Sequence, residues 1–253
     1  ILRYHEWLFK VNFLARTIPL RSGDIFSQKR YNETLSNISK AGVWQSSNIR
    51  ILEVPDSNVV DLVIELIPAK KFGFEASLEA SYSAVTNTSN ALAGNLFGVS
   101  TNFSLTNRNI AKQAIRMTHS IRAGIELNNR NRVNTSLINS TELSYRNNIT
   151  LPKLLTPIPS INNNRNLKGE TFVNTSLAFN NRLGLFNIQN INLNYGFSLK
   201  AKNERRWSFR LLNVEFSYLF NQTAAFQTII DQNPFLRYAY NTAFILGTGA
   251  SYS

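Results

Sequence analysis

Cysteine is absent from the 253 residues, which excludes disulfide frameworks and thiolate metal sites, and which suits a bacterial envelope protein as well as a cytosolic one. Histidine is nearly absent: His5 and His119 are the only two and stand far apart in the chain, so no metal site and no acid–base pair is expected of them. There is no run of about 20 apolar residues, so no helix is expected to cross a bilayer. The opening ILRYHEWLFK also lacks the cleavage pattern of a signal peptide. Either the protein is not exported, or the sequence is a mature or internal piece. GxSxG, a Walker loop and a metal-ligand helix are all missing. The expectation is no catalytic residue, no enzyme activity, no cofactor and no metal.

Acidic residues are scarce, 15 against 27 Lys and Arg, for a net charge of +12. Such a balance invites a nucleic-acid reading, but phosphate binding needs clustered cations. Here the basic residues of NRNIAK, NNRNR and NERRWSFR are scattered between apolar-alternating runs, and no nucleic-acid partner is expected. Asparagine is so abundant that Asn-x-Ser/Thr triplets such as NFS at 102–104 and NIT at 148–150 arise by chance and carry no glycosylation signal.

What the chain does have is alternation. In KKFGFEASLEASYS, residues 70–83, the residues Phe72, Phe74, Ala76, Leu78, Ala80 and Tyr82 fall on one face of a strand, and Gly73, Glu75, Ser77, Glu79 and Ser81 on the other, because strand side chains alternate. The first 70 residues read differently. FSQKRYNETLSNISKAGVW has a cap in Ser27, apolar Tyr31, Leu35 and Ile38 at helical spacing, and a stop at Gly42. WLFKVNFLARTI is a second helix ending near Pro19. WQSSNIRILEV and NVVDLVIELIP are two strands joined by the turn PDS. The expected division is a small α+β domain at 1–70 and a strand-rich domain at 71–253.

From residue 71 the period stays near two. LFGVSTNFSLT, IRMTHSIRAGIEL, VNTSLINSTELSYRNNITL, TFVNTSLAFNN, INLNYGFSLKA and NTAFILGTGASYS repeat the theme, each about as long as a membrane-crossing strand of roughly 9–11 residues. A β-sandwich would expose the Ser, Thr, Asn, Arg and Glu of the polar face to solvent, whereas a barrel would turn them to a wet lumen. Strand length favours the barrel. Glu75 and Glu79 are placed to pair with Arg116 or Arg122 across the sheet, and His119 takes the lipid-facing parity. NERRWSFRLLNVEFSYLF shifts its apolar parity between Leu211 and Leu212, which marks a bulge or a strand end. We read 203–238 as a strand end and a long connection, with a short helix in QTAAFQTIIDQ closing before Asn233-Pro234; a further strand pair is the alternative.

The ordered landmarks SGDIFSQKRYNETLSNISKAGVWQSSNIRI, VVDLVIELIPAKKFGFEASLEASYS and NLFGVSTNFSLTNRNIAKQAIRMTHSIRAGIEL resemble the last POTRA domain and first barrel strands of the BamA/TamA outer-membrane assembly family. The Ala41-Gly42-Val43-Trp44 turn, the strand DLVIEL and the AGNLFG ahead of the second barrel strand match that pattern. LPKLLTPIP, RRW and DQNPFL look like its Bacteroidota variant. The resemblance implies a mainly β protein, with a POTRA domain lacking its first strand followed by about seven strands of a larger transmembrane antiparallel barrel. It implies a bacterial outer-membrane location with the N-terminal domain in the periplasm. The implied function is assembly, insertion or translocation of outer-membrane proteins by templating client strands at the barrel seam. Unfolded clients, outer-membrane lipid and periplasmic or lipoprotein accessory subunits are the implied partners.

The implied seam residues are Phe72, Gly73, Phe74, Glu75, Ala76, Ser77 and Leu78, with Gly73 loosening the packing. The implied POTRA partner edge is Asn48, Ile49, Arg50 and Ile51. A static wall and a rigid spacer are the simpler readings of the same residues. A passive porin or receptor, and a soluble β-rich binding protein, are the alternative functions.

Overall fold

The computed structural model describes residues 8–83, 96–128, 137–163, 167–200 and 205–253. His5, the start of AGNLFG and most of NNRNR lie outside them. The chain divides into two compact units, one of the described part of 1–73 with 106–117, the other of 74–105 with 118–253.

In the first unit α1 (Val11–Thr17) stops ahead of Pro19, which lacks the N–H a helix needs. The next helix, α2 (Gln28–Ala41), follows Ser27 in extended conformation and ends at Gly42, whose φ of +61° is left-handed and therefore suits a residue without Cβ. The buried face of α2 differs from the apolar spacing: Thr34 and Ile38 are fully buried while Leu35 is 37% exposed. Thr34 tolerates this because its hydroxyl donates to the Arg30 carbonyl at 2.8 Å, which meets its hydrogen-bonding need. β1 (Trp44–Glu53) and β2 (Val60–Pro68) form an antiparallel hairpin across the expected turn, where Ser57 donates to the Val54 carbonyl at 2.9 Å.

The core of this unit joins Phe9, Phe13, Val43 and Ala114, with Trp44 packed against them. Ala114 closes a turn in which Ala111, Lys112 and Ala114 all have positive φ, +54°, +60° and +55°. Each such conformation costs a residue with a Cβ about 1–2 kcal/mol. Asn109 offsets part of that cost: its side-chain oxygen accepts from the Ala114 N–H at 3.0 Å, and its amide donates to the Leu8 carbonyl at 2.8 Å. The Lys10 N–H also donates to the Lys112 carbonyl at 2.8 Å.

The remaining strands are β3 (Phe72–Ser83), β4 (Leu96–Ile110), β5 (Ile115–Asn128), β6 (Ile138–Leu151), β7 (Lys168–Arg182), β8 (Phe186–Lys200), β9 (Arg206–Phe220) and β10 (Ala243–Tyr252). They form one eight-stranded sheet in the order β10-β9-β8-β7-β6-β5-β4-β3. The pairs from β6 to β10 are antiparallel. The molecule is mainly β, with one large antiparallel sheet and one two-stranded sheet. The sequence reading of about seven strands missed β9, which is a full strand of 15 residues rather than a strand end. Tyr195 pairs with Leu212 and Gly196 with Arg210, so Leu211 is an extra residue, and the register against β10 breaks at the same place. Without that bulge, Glu215 would stand on the face of Trp207 and Phe209.

Short helices occupy two connections. α3 (Pro159–Asn163) lies between β6 and β7. α4 (Ala224–Gln232) and α5 (Pro234–Ala239) lie between β9 and β10. The first of these two ends where expected, but Pro234 then starts a further helix, as its fixed φ allows at a first turn. Phe226 and Ile230 of α4 are buried with Phe186 and Leu219. Thr223 caps the helix, accepting from the Phe226 N–H at 3.3 Å and donating to the Gly184 carbonyl at 2.9 Å.

Asn109→Ala should lower unfolding stability by about 1–3 kcal/mol, since two polar groups lose their partner. Asn109→Asp keeps the acceptor for the Ala114 N–H but turns the donor facing the Leu8 carbonyl into a second acceptor, so it should also fall below the parent. Denaturant unfolding of the two variants beside the parent checks both.

Candidate functional site at the β3 edge

The two faces of the large sheet differ in kind. Phe74 and Phe103 share one face, ring centroids 6.3 Å apart, as do His119 and Tyr145. The register carries that parity through Leu177, Ile191 and Phe216 to Phe244. Among the described residues of β3–β10, no Asp, Glu, Lys or Arg holds a position on this apolar face. Its aromatics gather near the strand ends: Trp207 with Phe209 and Tyr252 at one end, and Phe179 and Tyr218 with Phe220 at the other. The single histidine there is neutralised as a hydrogen-bonding need by Tyr145, 2.7 Å from its Nδ1.

The opposite face carries the charge. Arg122 on β5 donates to Glu79 on β3 at 2.8 Å and lies 4.0 Å from Glu142 on β6. The first contact skips β4, and it does so because small residues lie between: Ser100, whose hydroxyl also reaches Glu79 at 3.4 Å, and Gly124, where an added Cβ would stand 3.2 Å from that of Ser100. Of the two arginines expected to pair, Arg116 goes elsewhere, its guanidinium filling the space beside Gly42. Farther along, Glu142, Arg146, Ser176, Asn190, Asn192 and Glu215 line a cavity of about 390 Å³.

β3 is one edge of this sheet and β10 the other. Of the seam residues read from sequence, Phe72, Phe74 and Leu78 are exposed on the apolar face, the last two by 71% and 77%. Ala76 shares that face, and Glu75 is exposed on the other. Ser77 is half-buried, and its carbonyl accepts from Thr101 at 3.3 Å. Gly73 has a different reason from the one expected. An added Cβ would meet both terminal nitrogens of Arg108 at 3.0 Å, and that arginine donates to the Lys70 carbonyl at 3.1 Å. The missing side chain leaves room for that guanidinium.

On β1, Asn48, Arg50 and Ile51 are exposed and Ile49 is buried. Arg50 pairs with Glu65 of β2. These four residues and the seam residues lie on different sheets. Residues that the sequence reading passed over include Asn109, Thr171 and Gly196. The last has an aromatic signal nearby, since Phe172 lays its ring where a Gly196 Cβ would stand, 2.6 Å away.

No family model and no curated protein matches the chain. Among solved structures, CdiB from Acinetobacter baumannii superposes with a TM-score of 0.37 and 12% sequence identity, covering 85% of this chain and 44% of that one. The chain thus spans less than half the length of that protein.

The Arg122–Glu79 pair is solvent-accessible, with the side chains 39% and 55% exposed, so its loss should cost only about 0.2–1 kcal/mol. Its effect should be local. In Arg122→Ala the β3 amides should exchange hydrogen faster while those of β7 and β8 keep the parent's rates, as residue-resolved exchange would read.

Proposed function

We propose that this chain is part of an outer-membrane barrel of the BamA/TamA type, and that it inserts or translocates other outer-membrane proteins by offering the β3 edge to their strands. The observation that carries the reading is an edge strand at the border of a sheet whose one face has no charge. Such a face is suited to lipid. In lipid an unpaired row of N–H and C=O groups costs several kcal/mol for each group left unmet, so the edge must be satisfied by another strand. A client strand is one solution, by the same main-chain pairing that any exposed edge permits. Pairing with a strand of its own protein is the other.

In this reading residues 72–78 present the backbone, and their side chains alternate between lipid and lumen. The polar face, with its Glu79–Arg122–Glu142 row, lines a wet interior. The N-terminal unit is a POTRA-like periplasmic module, and Asn48–Ile51 is its candidate edge for clients or accessory subunits. The protein forms no bonds and is not an enzyme. A passive porin or receptor would share the barrel but not the open edge.

The cysteine-free chain makes the test direct. Ser77→Cys in the full-length protein, together with a client barrel carrying a cysteine near its last strand, should give a mixed disulfide on oxidation during client assembly. Cross-linking of position 77 only within its own protein, at every client load, would overturn templating and leave the pore or receptor. A companion pair reads the membrane itself: Leu177→Arg should block heat-resistant assembly at a cost of about 2–4 kcal/mol, whereas Ser176→Arg, one residue away and on the other face, should be tolerated.

A further inference from the structure

The connection from β6 to β7 does not leave the sheet but returns along its apolar face. Thr171, Tyr195 and Gly169 all hold apolar-face positions, with Thr171 opposite Phe197 and Tyr195 opposite Val173. Onto them folds the segment Pro152–Asn162. Leu154 is 7% exposed and occupies the space of the missing Gly169 side chain, where an added Cβ would stand 2.5 Å from it.

The hydrogen bonds of this segment follow an uncommon plan. Thr171, fully buried, accepts from the Leu155 N–H at 2.8 Å and donates to the Lys153 carbonyl at 2.9 Å. The Tyr195 hydroxyl donates to the Leu155 carbonyl. Asn162 accepts from the Thr156 N–H at 2.6 Å and donates to the Thr156 carbonyl at 2.8 Å. The Thr156 hydroxyl donates to the Ile158 carbonyl at 3.0 Å and accepts from the Ile158 N–H at 3.3 Å. From Leu155 to Ile158 every N–H the chain owns is thereby met, and Pro152, Pro157 and Pro159 have none. In this stretch the exposed residues Leu155, Pro157 and Ile158 are all apolar, while on either side of it Ser160 is exposed and Lys153 half-buried.

In water this would be unnecessary, because solvent satisfies loop backbone at little cost. Irregular backbone touching hydrocarbon has no such partner, and each unmet group costs several kcal/mol. We infer that Pro152–Asn162 is a lipid-facing strap, seated by Thr171 and Tyr195, that presses Leu155 and Ile158 into a phospholipid bilayer at the strand-end level of Leu151 and Lys168. The inference rests on the membrane reading above. Lipid is favoured over a protein neighbour because residues 154–159 carry no charge and the stretch 155–158 completes its own hydrogen bonds, leaving no donor or acceptor there for a partner to read except the Pro157 carbonyl; the half-buried Lys153 stands at the strand end, where a headgroup can take its charge.

The test uses single cysteines in the full-length protein, labelled with a fluorophore and reconstituted in vesicles of phosphatidylethanolamine and phosphatidylglycerol. Ile158→Cys is compared with Leu177→Cys on the apolar face and Ser176→Cys on the polar face. The Ile158 label should be quenched by lipids nitroxide-labelled near the headgroup and should lose most of the iodide quenching seen at position 176. Iodide quenching at 158 as strong as at 176, with the 177 label still quenched by lipid, would overturn the strap and spare the membrane reading. Shielding from both quenchers, with unlabelled Ile158→Cys forming intermolecular disulfides, would overturn it in favour of a protein neighbour. Iodide quenching at 177 would overturn the membrane reading and the strap together.

Discussion

An Arg or Lys placed midway across a bilayer on a barrel's outer surface costs about 2–4 kcal/mol, and the register of β3–β10 keeps every such described residue on the opposite face. Much else in the sheet serves that segregation. The Leu211 bulge restores parity after Phe209, so that Asn213 and Glu215 return to the polar side. His119 sits among apolar neighbours only with Tyr145 as its partner. Arg122 reaches over β4 to Glu79 because Ser100 and Gly124 leave it room, and so the charges pair within their own face.

The strand faces were legible because alternation is a local property: residues 72–83 and 115–127 assign their own sides, and from those sides the Glu79–Arg122 pair follows. The Ser27–Gly42 helix and the PDS hairpin were legible for the same reason, through the Gly42 stop and the turn residues, although the Ser27 side chain makes no capping hydrogen bond. Where two neighbours decide the outcome, sequence was insufficient. Leu211 and Leu212 are both apolar, so a strand end and a bulge look alike until β8 and β10 set the count. Leu35 and Thr34 competed for the inside of α2, and a hydroxyl bond to Arg30 settled it in favour of threonine. Gly73 drew attention as a weak point, and its neighbour Arg108, more than thirty residues away, could not be read from the local sequence. Asn109 and Thr171 had no local signal at all, being ordinary Asn and Thr until a distant carbonyl comes into reach.

The turn at 111–114 shows how strain is held by the same kind of contact. Three residues with a Cβ in left-handed conformation would together cost several kcal/mol if each costs about 1–2, more than the turn's own bond from Gln113 N–H to the Ile110 carbonyl can return at about 1 kcal/mol. The balance comes from outside the turn: burial of Ala114 among Phe9, Phe13 and Val43, and the bonds of Asn109 and Lys10. The shape of the β4–β5 tip is therefore set by the segment around α1 as much as by its own residues.

Two of the described connections, β6–β7 and β9–β10, obey one rule from opposite directions. On the polar face, Phe186, Ile188 and Leu219 are apolar exceptions near a strand end, and α4 covers them with Phe226 and Ile230. On the apolar face the exception is the irregular backbone of 155–158, where Thr171, Tyr195, Asn162 and Thr156 satisfy every polar group but the Pro157 carbonyl. In the first case a connection removes apolar surface from water, and in the second, in the proposed membrane setting, side chains would remove unmet hydrogen bonds from an apolar surrounding. A segment that simply wandered over the sheet would have no reason to be apolar-packed on one side and polar-satisfied on the other. That the correction differs with the face is what two different solvents on the two faces would require.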